Sequence, residues 1–148
     1  MTTPQDPGLN LVASLEPLTK ADCWGLLATA QIGRLGLLVD RRPEVLPINY
    51  ALDGESVLFR TAEGTVLNQA SLSVVAFEVD RVDETKHAGW SVLVQGVARD
   101  ISDAIDPTSE RLRRLSLITW APGIRPRWYR IHPDKVTGRR LRVTPDAL

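Results

Sequence analysis

Residues 44 to 70 read EVLPINYALDGESVLFRTAEGTVLNQA, and their order of strand, tight turn, strand and helix start decides the fold. Glu44 to Ala51 alternates loosely, with Val45, Ile48 and Tyr50 as apolar positions. Asp53-Gly54 suits a hairpin turn because both residues tolerate positive φ. Ser56 to Arg60 is a second apolar strand. Thr61 is placed to cap a helix, with Glu63 in its first turn. An arginine leaving a strand, a threonine and free amides at a helix start form a phosphate cradle. The same pattern also fits an ordinary hairpin followed by a capped helix.

Outward from this stretch, most of the chain reads as short strands. On the N-terminal side, Leu18 to Thr29 reads as a helix capped by Thr19, with Asp22 three residues on. Leu18, Leu26, Leu27 and Trp24 supply its buried side, and Cys23 reads as a small buried apolar residue. Ile32 to Val39 is a strand whose glycines at 33 and 36 mark a bend or a close backbone approach. Asp40 to Pro43 is a turn. Pro47 cannot donate a ladder hydrogen bond, which implies an edge or an irregularity in the second strand.

On the C-terminal side, Ser73 to Asp80 and Ala88 to Ile101 are strands around a charged loop, RVDETKH, with His87 in solvent. Asp106-Pro107-Thr108-Ser109 opens a helix that continues through Ile118, with Leu112, Leu115 and Ile118 on its apolar side. Trp120 heads the following loop. Arg127 to His132 and Val136 to Arg142 read as two closing strands separated by a turn at Pro133. Many short strands with few helices argue for a closed or partly closed antiparallel sheet.

The chain has 148 residues, the size of one domain. Residues 1–17 read as a loose tail, 18–142 as one domain and 143–148 as a second tail. The single cysteine excludes an intrachain disulfide and fits a cytoplasmic protein. MTTPQDPGLN lacks the pattern of a signal peptide, and no apolar run is long enough for a membrane span. The 18 basic and 18 acidic residues cancel, which argues against a nucleic-acid-binding protein. The C-terminal third is nonetheless rich in arginine, mostly read as a solvated face. His87 and His132 sit in no metal-ligand pattern, so no metal is expected. No nucleophile motif, P-loop or GxGxxG is present, so catalytic residues are not identified. Any difficult chemistry has to come from a bound redox cofactor.

PINYALDGESVLFRTAEGT resembles the flavin-binding stretch of the pyridoxamine 5′-phosphate oxidase-like family. The likeness extends to GRLGLLVDRRPEVLPINY, VAFEVD, GWSVLVQGVARDI and WAPGIRPRWYRIHPDKVTGRRL. It implies a mainly β split barrel of Greek-key, FMN-binding type with a few short helices. It also implies a homodimer with the cofactor at the interface, and an oxidoreductase acting on a small molecule. By resemblance, the backbone at Pro47, Ile48 and Asn49 lines the flavin ring. Arg60, Thr61 and Ala62, with the helix start through Thr65, hold the cofactor phosphate. Trp120 stands either near the ring or in the core as an anchor. Arg130 and Arg139 are further cations within reach of phosphate or substrate.

One position departs from the family. Many relatives carry a lysine after AEGT, where this chain has Val66. Losing one charge-assisted contact costs roughly 1.5 to 3 kcal/mol, which is roughly a ten- to a hundredfold loss of affinity. Three readings follow: an FMN-dependent oxidoreductase, a deazaflavin (F420)-dependent reductase, and a split-barrel binding protein that has lost flavin or turnover.

Overall fold

The computed structural model describes residues 11–63 and 72–145. Nine elements follow in order: β1 (Leu11–Pro17), α1 (Lys20–Leu27), β2 (Ile32–Val39), β3 (Arg42–Leu52), β4 (Val57–Thr61), β5 (Leu72–Asp83), β6 (Ala88–Asp100), α2 (Pro107–Leu112) and β7 (Arg127–Pro145). All strand pairs are antiparallel, in the order β1-β7-β4-β3-β2-β5-β6, and β6 pairs back onto β7. That last pairing closes six strands into a barrel. The long β7 makes closure possible, since its first part pairs with β4 and its last part with β1. The architecture is the expected mainly β split barrel.

Alternate residues fill the barrel. Leu35, Val57, Phe59, Phe77, Val92, Val94 and Ile131 are fully buried, and Cys23 and Leu27 of α1 close one opening. The Tyr50 ring meets Phe77 edge-on at 4.9 Å, and Phe59 stacks on Tyr129 at 5.3 Å. The Tyr50 hydroxyl donates to the Leu27 carbonyl at 2.5 Å, tying α1 to β3. Gly33 lacks a side chain for a concrete reason: a Cβ there would lie 2.4 Å from the Phe77 ring. On the outer face of β4 and β7, Leu58 and Trp128 pack under Ile101, Leu112 and Leu117 in a second cluster.

Several local readings hold. Thr19 caps α1 by accepting the Asp22 N–H, Asp106 caps α2 with Pro107 in its first turn, and β2 runs from Ile32 to Val39. Cys23 is buried and His87 is exposed.

Others are corrected. Residues 11–17, expected in a loose tail, form β1, because Leu11 to Pro17 finds a complete ladder on Pro145 to Arg139. The same ladder carries β7 past Arg142, into the expected C-terminal tail. The turn after β2 is only Asp40-Arg41, both at positive φ, so Arg42 and Pro43 already belong to β3. In the next hairpin the central residues are Gly54-Glu55. Asp53 and Ser56 exchange backbone hydrogen bonds around them, and only Gly54 has positive φ, as in a type II′ turn. The charged loop shrinks because β5 continues through Asp83.

Helix α2 stops at Leu112 rather than Ile118. A continued helix would turn Leu117 away from the Leu112 side, whereas Leu117 is 6% exposed and Ile118 is 75% exposed. Pro133 makes no turn, since β7 is continuous across it. Gln95 faces Lys135 and Gly96 faces Pro133, leaving Asp134 as the extra residue of a bulge. A proline without an N–H is tolerated at such an irregularity. The helix expected to follow Thr61 falls mainly on residues 64–71, outside the described residues.

Candidate functional site

Among the described residues, the N-terminal half of β3 pairs on one side only. The β3–β4 ladder covers Tyr50 to Leu52, while β2 accompanies β3 from Arg42 to Asn49. The Tyr50 N–H donates to the Gln31 carbonyl, so even-numbered residues here turn their backbone groups toward β2. The groups of Val45 and Pro47 therefore face the other edge, beyond the last β3–β4 bridge at Tyr50 and Phe59, with no ladder partner among the described residues. The proline costs nothing in that position, and the edge expected from sequence is present.

Asn49 is half-exposed and bonded at both ends. Its Oδ1 accepts the Trp120 backbone N–H at 2.8 Å, and its Nδ2 donates to the Gln31 carbonyl at 3.4 Å. Pro47, Ile48, Asn49 and Trp120, singled out from distant parts of the sequence, thus share one region. Trp120 is 64% exposed and is no core anchor. With Thr29, Ala30, Gln31, Ile32, Asp80 and Arg81 it borders a cavity of about 420 Å³.

Arg60, the expected phosphate fork, lies two residues beyond Leu58 on the same outer face. Its Nε donates to the Arg125 carbonyl at 3.0 Å and its Nη1 to the Leu117 carbonyl at 3.2 Å. The guanidinium also lies 5.0 Å from the centre of the Trp128 ring. In this state Arg60 braces the loop between α2 and β7. Thr61 ends β4 and is 5% exposed, and its Oγ1 has no hydrogen-bond partner among the described residues. Ala62 follows, half-buried. Thr65 and Val66 lie outside the described residues.

Sequence reasoning did not single out Arg125. Its carbonyl holds Arg60, and its own Nε is buried without an acceptor among the described residues. No local sequence signal separates it from its arginine-rich neighbours. Of the two further cations expected, Arg130 donates to Ser56 Oγ at 3.1 Å, and Arg139 lines a separate cavity of about 690 Å³.

That larger cavity crosses β5, β6 and β7 and includes Glu78, Asp80, Trp90 and Ser91. Arg34 sits 3.0 Å from Asp80 and 4.0 Å from Glu78. Burial, followed by the neighbouring Asp80 carboxylate, pushes the Glu78 carboxyl up to about 7, against the pull of Arg34. Sequence reasoning missed this carboxyl as well, because it is one polar position of an alternating strand. No group of His, Cys, Asp and Glu able to hold a metal occurs among the described residues. No described helix is long and apolar enough to cross a membrane.

Residues 19–140 match the model of the family described as pyridoxamine 5′-phosphate oxidase. A solved FAD binding protein from Mycobacterium smegmatis is 37% identical. The match covers 86% of this chain and 98% of that one, with a TM-score of 0.70. A FAD-binding protein from Mesorhizobium loti, 22% identical, covers 88% and 98% with a TM-score of 0.68, a likeness of fold. An uncharacterised protein of Mycobacterium tuberculosis is 32% identical over 130 residues, 84% of each chain.

Proposed function

The chain belongs to the pyridoxamine 5′-phosphate oxidase family, and from that premise we propose that it binds a flavin and acts as an oxidoreductase on a small molecule. The observation that carries this reading is the β3 edge at Val45 and Pro47, which has no ladder partner among the described residues, beside the Trp120 loop and next to β4, which ends at the buried Thr61 hydroxyl. An edge of free backbone groups suits the polar rim of a flat ring. An unpartnered buried hydroxyl suits a phosphate oxygen.

In this proposal Val45 and Pro47 present backbone to the ring edge, and Asn49 fixes the loop that carries Trp120. Trp120 covers the ring and sheds water from it. The Thr61 end of β4 takes the phosphate. A bound flavin supplies two-electron transfer, and the protein supplies orientation and a dry wall. Sequence resemblance favours FMN, and the Mycobacterium smegmatis relative binds FAD, so both are test ligands. A second copy of the chain, which the family resemblance implies, completes the cover over the ring.

The test is a visible absorption spectrum of purified protein after incubation with FMN or FAD and desalting. A retained flavin band is expected. Protein that retains neither but binds a deazaflavin would move the reading to the reductase alternative. Protein that retains none would overturn it in favour of a flavin-free binding protein. The neutral Val66 favours that last alternative, and Val66→Lys would then tighten FMN.

A further inference from the structure

We infer that Arg125 is the guanidinium that meets the flavin phosphate, and that Arg60 is a positioning residue bracing the loop from which Arg125 reaches it. This inference rests on the flavin reading above.

The argument starts from donors already used. Arg60 spends Nε and Nη1 on the carbonyls of Arg125 and Leu117, and its plane is fixed over Trp128. Turning that fork onto a phosphate would release both carbonyls and the ring contact together. Arg125 is in the opposite condition. Its Nε carries a proton that an arginine does not lose, yet it is buried with no acceptor among the described residues. A buried charged donor without a partner is costly, so an acceptor at this place is worth more than one at the surface.

A second orphan stands at the same end of β4. Thr61 is 5% exposed and its Oγ1 is unpartnered. Thr61 pairs with Arg127, two residues from Arg125, and the neighbouring Arg60 holds the Arg125 backbone at 3.0 Å. The Thr61 hydroxyl and the Arg125 Nε, each without a partner among the described residues, belong to segments that meet at this end of β4, and each is a donor that an oxyanion can use. Residues 62–71 contain no lysine or arginine, so the segment after Thr61 supplies no cation of its own, and Arg125 supplies it in this inference.

FMN and riboflavin differ only in the phosphate ester, so their dissociation constants isolate the phosphate contact. Binding of each is measured by flavin fluorescence for wild type, Arg125→Gln, Arg125→Ala and Arg60→Ala, with circular dichroism to check folding. Both Arg125 variants are expected to bind FMN more than tenfold more weakly and riboflavin as before. Arg60→Ala is expected to weaken both ligands, because the loop loses its brace. FMN affinity within twofold of wild type in the Arg125 variants would overturn the inference, as would an equal loss for riboflavin. Loss of FMN alone in Arg60→Ala would make Arg60 the phosphate ligand instead. If wild type binds none of FMN, FAD and riboflavin, the flavin reading itself has failed and the inference falls with it.

Discussion

The Trp120 backbone N–H donates to Asn49 Oδ1 at 2.8 Å, joining β3 to a loop 71 residues further along the chain. The Asn49 Nδ2 reaches the Gln31 carbonyl ahead of β2, so one amide side chain holds three segments in register. Asn49→Ala is expected to cost about 1 kcal/mol, the net worth of a hydrogen bond at a partly exposed site. Urea unfolding measures that loss. The same variant frees the Trp120 loop, so Trp120 fluorescence should become more accessible to acrylamide. Unchanged quenching would mean that Arg60 alone sets the loop.

Two glycines give opposite outcomes on alanine substitution. Gly96 sits at the β6–β7 bulge, where a Cβ would lie 2.0 Å from the His132 carbonyl oxygen. Backbone cannot move aside as a side-chain tip can, so Gly96→Ala should destabilise by about 3 kcal/mol. Gly25, inside α1, has nothing within 4 Å of an added Cβ. Gly25→Ala should stabilise by roughly 0.5 to 1 kcal/mol. Thermal melts of the pair check both signs, and a neutral Gly96→Ala would remove the bulge from this register.

What was legible in the sequence followed the range of the interaction. Thr19 and Asp22, or Asp106 and Ser109, meet within three residues, and those caps were readable. Pro133 was misread because a proline ordinarily stops a ladder. Only the partner strand, with Gly96 opposite, reveals that the ladder absorbs it in a bulge. Leu11 to Pro17 has no buried stripe of its own, and its strand exists because β7 extends far enough to pair with it. In the site, residue positions were legible by resemblance, but partners were not. The bonds from Arg60 to Leu117 and Arg125 span 57 and 65 residues, and no local pattern encodes them.

The outward rows of the barrel make a prediction about assembly. Val45 and Leu38 are 65% and 69% exposed, and Gly36 lies opposite Val45 and Ala76 on either side. This gives a low, apolar surface of the kind a second copy covers. Val45→Arg places a charge in that surface without touching the core. A wild-type dimer that becomes monomeric in Val45→Arg, by light scattering, is the expected result. A wild-type monomer, or a dimer indifferent to the change, would place any interface elsewhere.

Glu78 gives the pH dependence. Its ordinary value is 4.5, and burial with the neighbouring Asp80 carboxylate raises it to about 7 in the folded chain. Between these values the unfolded chain has released the proton while the folded chain keeps it. Stability attributable to Glu78 is therefore complete below about pH 4.5, falls as pH rises toward 7, and is level above that. The carboxyl is partly exposed, so solvent screens the effect and the slope is modest. Glu78→Gln keeps the shape and removes the titration. Its melting temperature should lose the component that declines between pH 5 and pH 8 in the wild type, with the larger gain over wild type at pH 8. An identical pH profile in the variant would mean that the Glu78 carboxyl ionises in the folded chain much as it does in the unfolded one, with Arg34 offsetting both burial and Asp80.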